Sequence, residues 1–143
     1  QALFTAHPRV DGVKGNVFIG DKILVYRRDF NTKLHPGELD LPGGGCEKNE
    51  VPFDTFKREL FEEFGLTITR EELSYAREYQ STLNPDKTGI HVVVHLPSEA
   101  AGKIVFGDEG SEWMLIEPDR FLEANDAWPV FQKRTKDYLD SLN

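Results

Sequence analysis

"GGCEKNEVPFDTFKRELFEEFGL", residues 44 to 66, opens on two glycines, repeats phenylalanine or leucine every third or fourth place, and crowds Glu59, Glu62 and Glu63 together. Apolar residues at that spacing predict an amphipathic helix. Pro52 suits its first turn and Gly65 its C-terminal stop. With Glu59 at zero on a wheel of about 100° per residue, Glu62 falls near about −60° and Glu63 near about +40°. The three carboxylates therefore share one face, and Phe53, Phe56, Leu60 and Phe64 occupy the adjoining arc. Like charges so placed repel. The positions four residues after these glutamates hold Glu63, Leu66 and Thr67, so no Lys or Arg offsets them there. A solvated acidic face is one reading. The other is a cradle for a hard divalent cation, since Mg²⁺ takes oxygen ligands and sits between carboxylates and substrate phosphates.

Working outward, "VKGNVFIGDKILVYRRD" (13 to 29) predicts a β-hairpin turning at Gly20-Asp21. Residues 28 to 45 predict a long Pro- and Gly-rich loop, a kind that is commonly functional. Two strands are expected over 73–82 and 89–97, another over 112–117, and a helix from Pro129 to Leu142 with Val130, Phe131, Arg134 and Tyr138 near one face. The order β, β, α, β, β, β, α predicts an α/β protein with a mixed sheet flanked by helices. At 143 residues the chain is expected to form one domain, 1–143. A net charge of −8 argues against a surface for long nucleic acid, which needs cations to release counterions. The single cysteine, Cys46, allows no internal disulfide and fits a reducing compartment. No apolar run approaches the ~20 residues of a membrane span. A cytoplasmic protein is expected, with no membrane partner, as a monomer or homodimer.

From Gly44 the spacing runs five residues to Glu50, seven more to Arg58-Glu59-Leu60, then Glu62-Glu63, Gly65 and Leu66. This resembles the Nudix box, G-x5-E-x7-R-E-U-x-E-E-x-G-U with U a bulky apolar residue, at every defined position. The resemblance to the Nudix hydrolase family, and to its MutT-like members, implies an α/β/α sandwich around a mixed sheet. It implies hydrolysis of a nucleoside diphosphate linked to another group, with Mg²⁺ or Mn²⁺ as cofactor and a small nucleotide as substrate. Glu59, Glu62 and Glu63 would be metal ligands and catalytic residues, joined by the backbone carbonyl of Gly43. Arg58 would brace Glu50. "FGDEGSEWMLIEP" (106 to 118) resembles the family stretch that supplies a further acidic ligand or base, which would be Glu109, with Glu112 as its rival.

For substrate binding, the resemblance points to Arg28, the second residue of the strand-end pair Arg27-Arg28. It points also to Asn125 in "LEANDAWPVFQK" (122 to 133), although a helix N-cap role suits Asn125 or Asp126 equally well. Trp128 ranks lower as a base-stacking residue. His91 and His95 share a strand face, where packing or surface positions are favoured over a soft-metal pair. Cys46 occupies a variable box position and is read as incidental. Gln80 and Ser81 stand where ADP-ribose hydrolases of the family tend to carry proline, and no tyrosine follows where dinucleoside-polyphosphate hydrolases tend to carry one. The expected reaction is therefore cleavage of a nucleoside triphosphate, oxidised or not, to monophosphate and pyrophosphate. Two alternatives stay open: hydrolysis of ADP-ribose, nucleotide sugars or dinucleoside polyphosphates, and a nucleotide-sensing module without catalysis.

Overall fold

The computed structural model describes residues 2–108 and 110–143. The expected hairpin forms from β1 (Val10–Ile19) and β2 (Lys22–Arg28), joined by Gly20 at φ 64, a left-handed conformation that costs glycine nothing. Near the turn Phe18 pairs with Ile23 and Ile19 with Lys22. Beyond those pairs the two strands diverge, and the chain fills the gap itself. β3 (Leu39–Asp40) pairs with β2 at Tyr26 and Arg27, and β4 (Gly43–Gly45) pairs with β1 across Gly12 to Lys14. The sequence reading placed both inside a loop. Runs of two and three residues are too short to show periodicity, and they are ordered by the strand edges that the splayed hairpin leaves open.

On its other edge β1 runs parallel to β6 (Thr88–Leu96), which pairs antiparallel with β5 (Leu73–Gln80). β7 (Gly110–Ile116) closes the far edge of β2. The result is a seven-stranded mixed sheet. The expected strands shift at their ends: β5 stops at Gln80 rather than at 82, β6 spans 88–96 rather than 89–97, and β7 spans 110–116 rather than 112–117.

α1 (Pro52–Phe64) covers one face, burying Phe53, Phe56, Leu60 and Phe64 against Val13, Val17, Leu24, Tyr26 and Val92. Each fully buried aromatic of this kind contributes roughly 1.5–3 kcal/mol. Gly65 ends the helix at φ 67, its N–H donating to the Phe61 carbonyl at 2.9 Å. α3 (Pro129–Asp140) covers the opposite face with Phe131 and Tyr138 against Phe18, Ile23, Val25 and Val93. Strands buried on both faces read as continuous apolar runs, as in "KILVY" and "HVVV". The chain thus has the α/β/α architecture that the sequence implies.

Two expectations change at the C-terminal end. Val130 is 40 % exposed, and the buried stripe of α3 is Phe131, Arg134, Thr135 and Tyr138. A short helix, α2 (Pro118–Glu123), precedes α3 and was not anticipated, because six residues hold too little of a helical period. No helix among the described residues is long and apolar enough to cross a membrane.

Candidate active site

The glutamate face of α1 lies against β4, and glycine permits the approach. A Cβ at Gly44 would stand 2.5 Å from Glu59 Cδ, so any side chain there displaces the carboxylate. Gly43, at φ 130, lies against the backbone carbonyl of Val13 and leaves no room for a side chain either. The Gly43–Gly45 backbone and the Glu59 carboxylate are consequently neighbours.

Arg58 is the hub of this surface. Its Nε donates to Glu50 Oε2 at 2.9 Å and its Nη2 to Glu50 Oε1 at 3.1 Å, a two-pronged pair. Nη1 reaches Glu59 Oε2 at 3.2 Å and Glu62 Oε1 at 3.0 Å, and Nη2 also donates to the Gly45 carbonyl at 3.1 Å. The expected Arg58–Glu50 brace is present. The local offset that the sequence reading found missing is present too, in Arg58, which stands four residues before Glu62 rather than after it. The guanidinium beside Glu50 holds that carboxyl down to about 2. In turn Glu50 and its acidic neighbours hold Arg58 above its ordinary value.

The three glutamates differ in setting. Glu63 is 7 % exposed, Glu59 is largely covered, and Glu62 projects toward solvent and Arg58. Residues 105–107 fold onto the end of α1: Val105 N donates to the Phe64 carbonyl at 2.9 Å, and Gly107 N to that of Glu63 at 2.7 Å. Glu109 lies outside the described residues. Its rival Glu112 takes a bond from Arg27 Nε at 3.2 Å. Tyr26 packs on the α1 side and pairs with Trp113, so alternation puts Glu112 on the opposite face of the sheet from the α1 glutamates.

Among the described residues no three His, Cys, Asp or Glu side chains converge closely enough as they stand to hold a metal ion. The donor chemistry nevertheless suits a hard cation. Glu59 and Glu63 are carboxylates on one covered helix face, and Glu59 abuts a glycine backbone that no Cβ obstructs.

Beside this surface a cavity of about 200 Å³ opens between β1, β4 and α3. A buried cluster organises its wall. Asp40, fully buried, accepts from Lys14 Nζ at 3.0 Å, Arg28 Nη1 at 2.8 Å and Tyr26 Oη at 3.1 Å, while its other oxygen takes the Leu41 N–H at 2.7 Å. Arg28 also donates to the Leu34 carbonyl at 2.9 Å and lies 5.1 Å from the Trp128 ring. It lines the cavity. Lys14, Asp40 and Arg134 escaped the sequence reading as site residues, because splayed strands and a distant helix bring them together.

Asn125 does not reach the cavity; it is exposed in the turn between α2 and α3. The backbone explains this. Leu39 N donates to the Asp126 carbonyl at 2.7 Å and Trp128 N to the Leu39 carbonyl at 3.1 Å, pinning the segment to β3. Trp128 is thereby set into the cavity wall, stacked on His35 with ring centres 4.2 Å apart. The α3 N-cap is Trp128 with no side-chain cap, so neither Asn125 nor Asp126 fills that role. The Asp126 carboxylate instead pairs with Arg27 Nη1 at 2.9 Å.

His91 is fully buried, its Nε2 2.7 Å from Asn16 Oδ1, and Asn16 in turn donates to Thr135 at 3.0 Å. Burial, with a smaller contribution from the Arg134 charge, lowers the His91 pKa to about 3 and keeps the ring neutral. His95 stacks on Phe18. Burial pushes the Cys46 thiol up, away from the thiolate that a nucleophile needs.

The NUDIX domain family model matches residues 11–137. An RNA pyrophosphohydrolase of Bartonella henselae is 38% identical over 53 residues, covering 37% of this chain and 30% of that protein. Nudix hydrolase 3 of Caenorhabditis elegans is 34% identical over 53 residues, covering 37% of this chain and 22% of that protein. The match thus spans less than a third of these curated relatives. Among solved structures, a MutT protein from Methanosarcina mazei superposes with a TM-score of 0.74 at 20% identity, over 94% of this chain and 95% of that one. A C. elegans Ap4A hydrolase gives 0.70 at 16% identity, over 92% and 97%. At such identities the likeness is one of fold.

Proposed function

Because the chain belongs to the Nudix family, as the domain match over residues 11–137 shows, we propose that it is a divalent-metal-dependent pyrophosphohydrolase that cleaves a nucleoside triphosphate, oxidised or not, to monophosphate and pyrophosphate. The observation that carries this reading is the contact surface of Glu59 with Gly44, beside a cavity walled by Arg28 and Trp128. An acidic helix face thereby borders a recess suited to a flat ring. In this reading Glu59, Glu62, Glu63 and the Gly43 carbonyl would hold Mg²⁺, or Mn²⁺, with Glu109 as a further ligand. When bound, such an ion neutralises phosphate oxygens and makes a bound water more acidic.

The chain's own residues do the rest. Arg58 fixes Glu59 and Glu62 through Nη1 while anchored on Glu50, so the carboxylates keep their direction as an anionic substrate arrives. Arg28, held by Asp40 and the Leu34 carbonyl, presents a preset cation toward the nucleotide. Glu63, covered by the packing of α1, serves as ligand and proton acceptor. The names of the relatives, an RNA pyrophosphohydrolase and an Ap4A hydrolase, support hydrolysis without fixing the substrate here. Within this reading the protein acts on small nucleotides as a monomer or homodimer in the cytoplasm. The test is a nucleotide panel with Mg²⁺, with and without chelator, monitored for monophosphate and pyrophosphate. Metal-dependent release of both from a triphosphate is expected; turnover of ADP-ribose or a dinucleoside polyphosphate alone would replace the substrate, and no turnover of any compound would overturn the reading.

A further inference from the structure

Three cations line the cavity, and two of them are committed to the protein. Lys14 is bound by Asp40 and the Leu41 carbonyl, and Arg28 by Asp40 and the Leu34 carbonyl. Arg134 differs. It is 5 % exposed, yet among the described residues no carboxylate lies within 4 Å of its guanidinium. Its Nη2 donates to the Gln80 carbonyl at 3.0 Å, and the rings of Tyr79 and Phe131 hold the group at 4.7 and 5.4 Å. Nη1 has no protein acceptor among the described residues, and it faces the side of the cavity formed by Gly89. Burial lowers the Arg134 pKa, as expected of a covered cation without a close countercharge.

The surroundings say what Nη1 waits for. Trp128 and Phe131 offer aromatic walls and Leu34 and Leu83 an apolar rim, which fit a planar ring better than a hydrated anion. Asp11 lines the same recess, and its negative charge opposes entry of a second anion. Gly44 and Gly45 also line the recess, beside the Glu59 surface, so the phosphates of a ring held in the cavity can lie next to the α1 glutamates. We infer that Arg134 donates from Nη1 to a carbonyl oxygen on the outer edge of a nucleobase, so that the cavity selects keto bases over their amino counterparts, an inference that rests on the nucleotide reading above. An exocyclic amine in that place would set donor against donor and leave a covered N–H without its bond.

The test separates base choice from catalysis by measuring binding without metal. The whole chain is titrated calorimetrically with IMP and AMP, and with UMP and CMP, pairs that exchange the carbonyl for an amine at the outer edge. Tighter binding of IMP over AMP and of UMP over CMP, each by roughly tenfold, is expected. Gly89→Ala supplies a variant whose folding is not in question. Its methyl would meet no atom closer than 3.6 Å and would stand 3.7 Å from Nη1, in the path of the base. It should bring both ratios toward one. Ratios near one or inverted in the unmodified chain, no binding of any of the four, or ratios unaltered by Gly89→Ala would each overturn the inference. If the ratios hold while no triphosphate is hydrolysed with Mg²⁺, base recognition stands and the hydrolase reading falls.

Discussion

Arg58 grips Glu50 through two parallel bonds, Nε to Oε2 at 2.9 Å and Nη2 to Oε1 at 3.1 Å, and with its remaining nitrogen spans Glu59 and Glu62. One cation therefore orders three carboxylates. The pair with Glu50 fixes the guanidinium plane, and that plane sets where the Glu59 carboxylate sits against Gly44 and where Glu62 is held. Thr55 Oγ1 adds a bond to Glu50 at 2.7 Å and ties the pair to the first turn of α1.

This pair makes a pH-dependent contribution to stability. The folded Glu50 carboxyl titrates at about 2 against an ordinary 4.5, so its stabilisation is complete above the ordinary value and is lost as pH falls toward 2. After screening by solvent at this partly open pair, the shift corresponds to roughly 1–2 kcal/mol at neutral pH. Urea denaturation should find Glu50→Gln destabilised by an amount of that order at pH 7, with the gap to the unmodified protein closing between about pH 4.5 and 2. A gap that stays constant over this range would place the effect elsewhere.

Gly44→Ala should disable the site while leaving the core intact. The three atoms nearest the new methyl all belong to the Glu59 carboxylate, 2.5 Å away at the closest, so that group must move. Manganese titration followed by electron paramagnetic resonance should show at least about tenfold weaker binding, an effect of the size seen when groups that orient metal ligands are lost. Binding equal to that of the unmodified protein would show that Glu59 is not a ligand.

Removal of the Asp40 charge should be costly. Lys14 and Arg28 both converge on this fully buried carboxylate, and Asp40→Ala strands both of them. Loss of one partner from such a buried pair costs about 3–5 kcal/mol. Chemical denaturation measures it; a loss under about 1 kcal/mol would mean that the cluster is solvated in solution.

Much of this arrangement can be read directly from the chain. The spacing of Phe53, Phe56, Leu60 and Phe64 dictates which side of α1 is buried, and the position of Glu59, Glu62 and Glu63 follows from it. Arg58, as the countercharge of Glu62, is visible on looking backward along the helix as well as forward. Residues outside the helix are less legible, because non-local pairing decides them. Asp40 reads as one acid in a Gly- and Pro-rich loop until the splay of β1 from β2 draws it onto Tyr26. Trp128 enters the cavity wall, and Asn125 leaves it, through backbone bonds between Leu39 and residues 126 and 128 that no local pattern announces. Arg134 looks like part of a packed helix face, and only the absence of a carboxylate within 4 Å among the described residues distinguishes it.

Glu63 bears on the central claim most directly. With Mg²⁺ and the best triphosphate of the panel, kcat/KM of Glu63→Gln should fall at least about a thousandfold, roughly 4 kcal/mol of transition-state stabilisation, while circular dichroism and Tm report an intact fold. Full-rate hydrolysis by a folded Glu63→Gln protein would contradict the assignment of the α1 glutamates as the centre of catalysis.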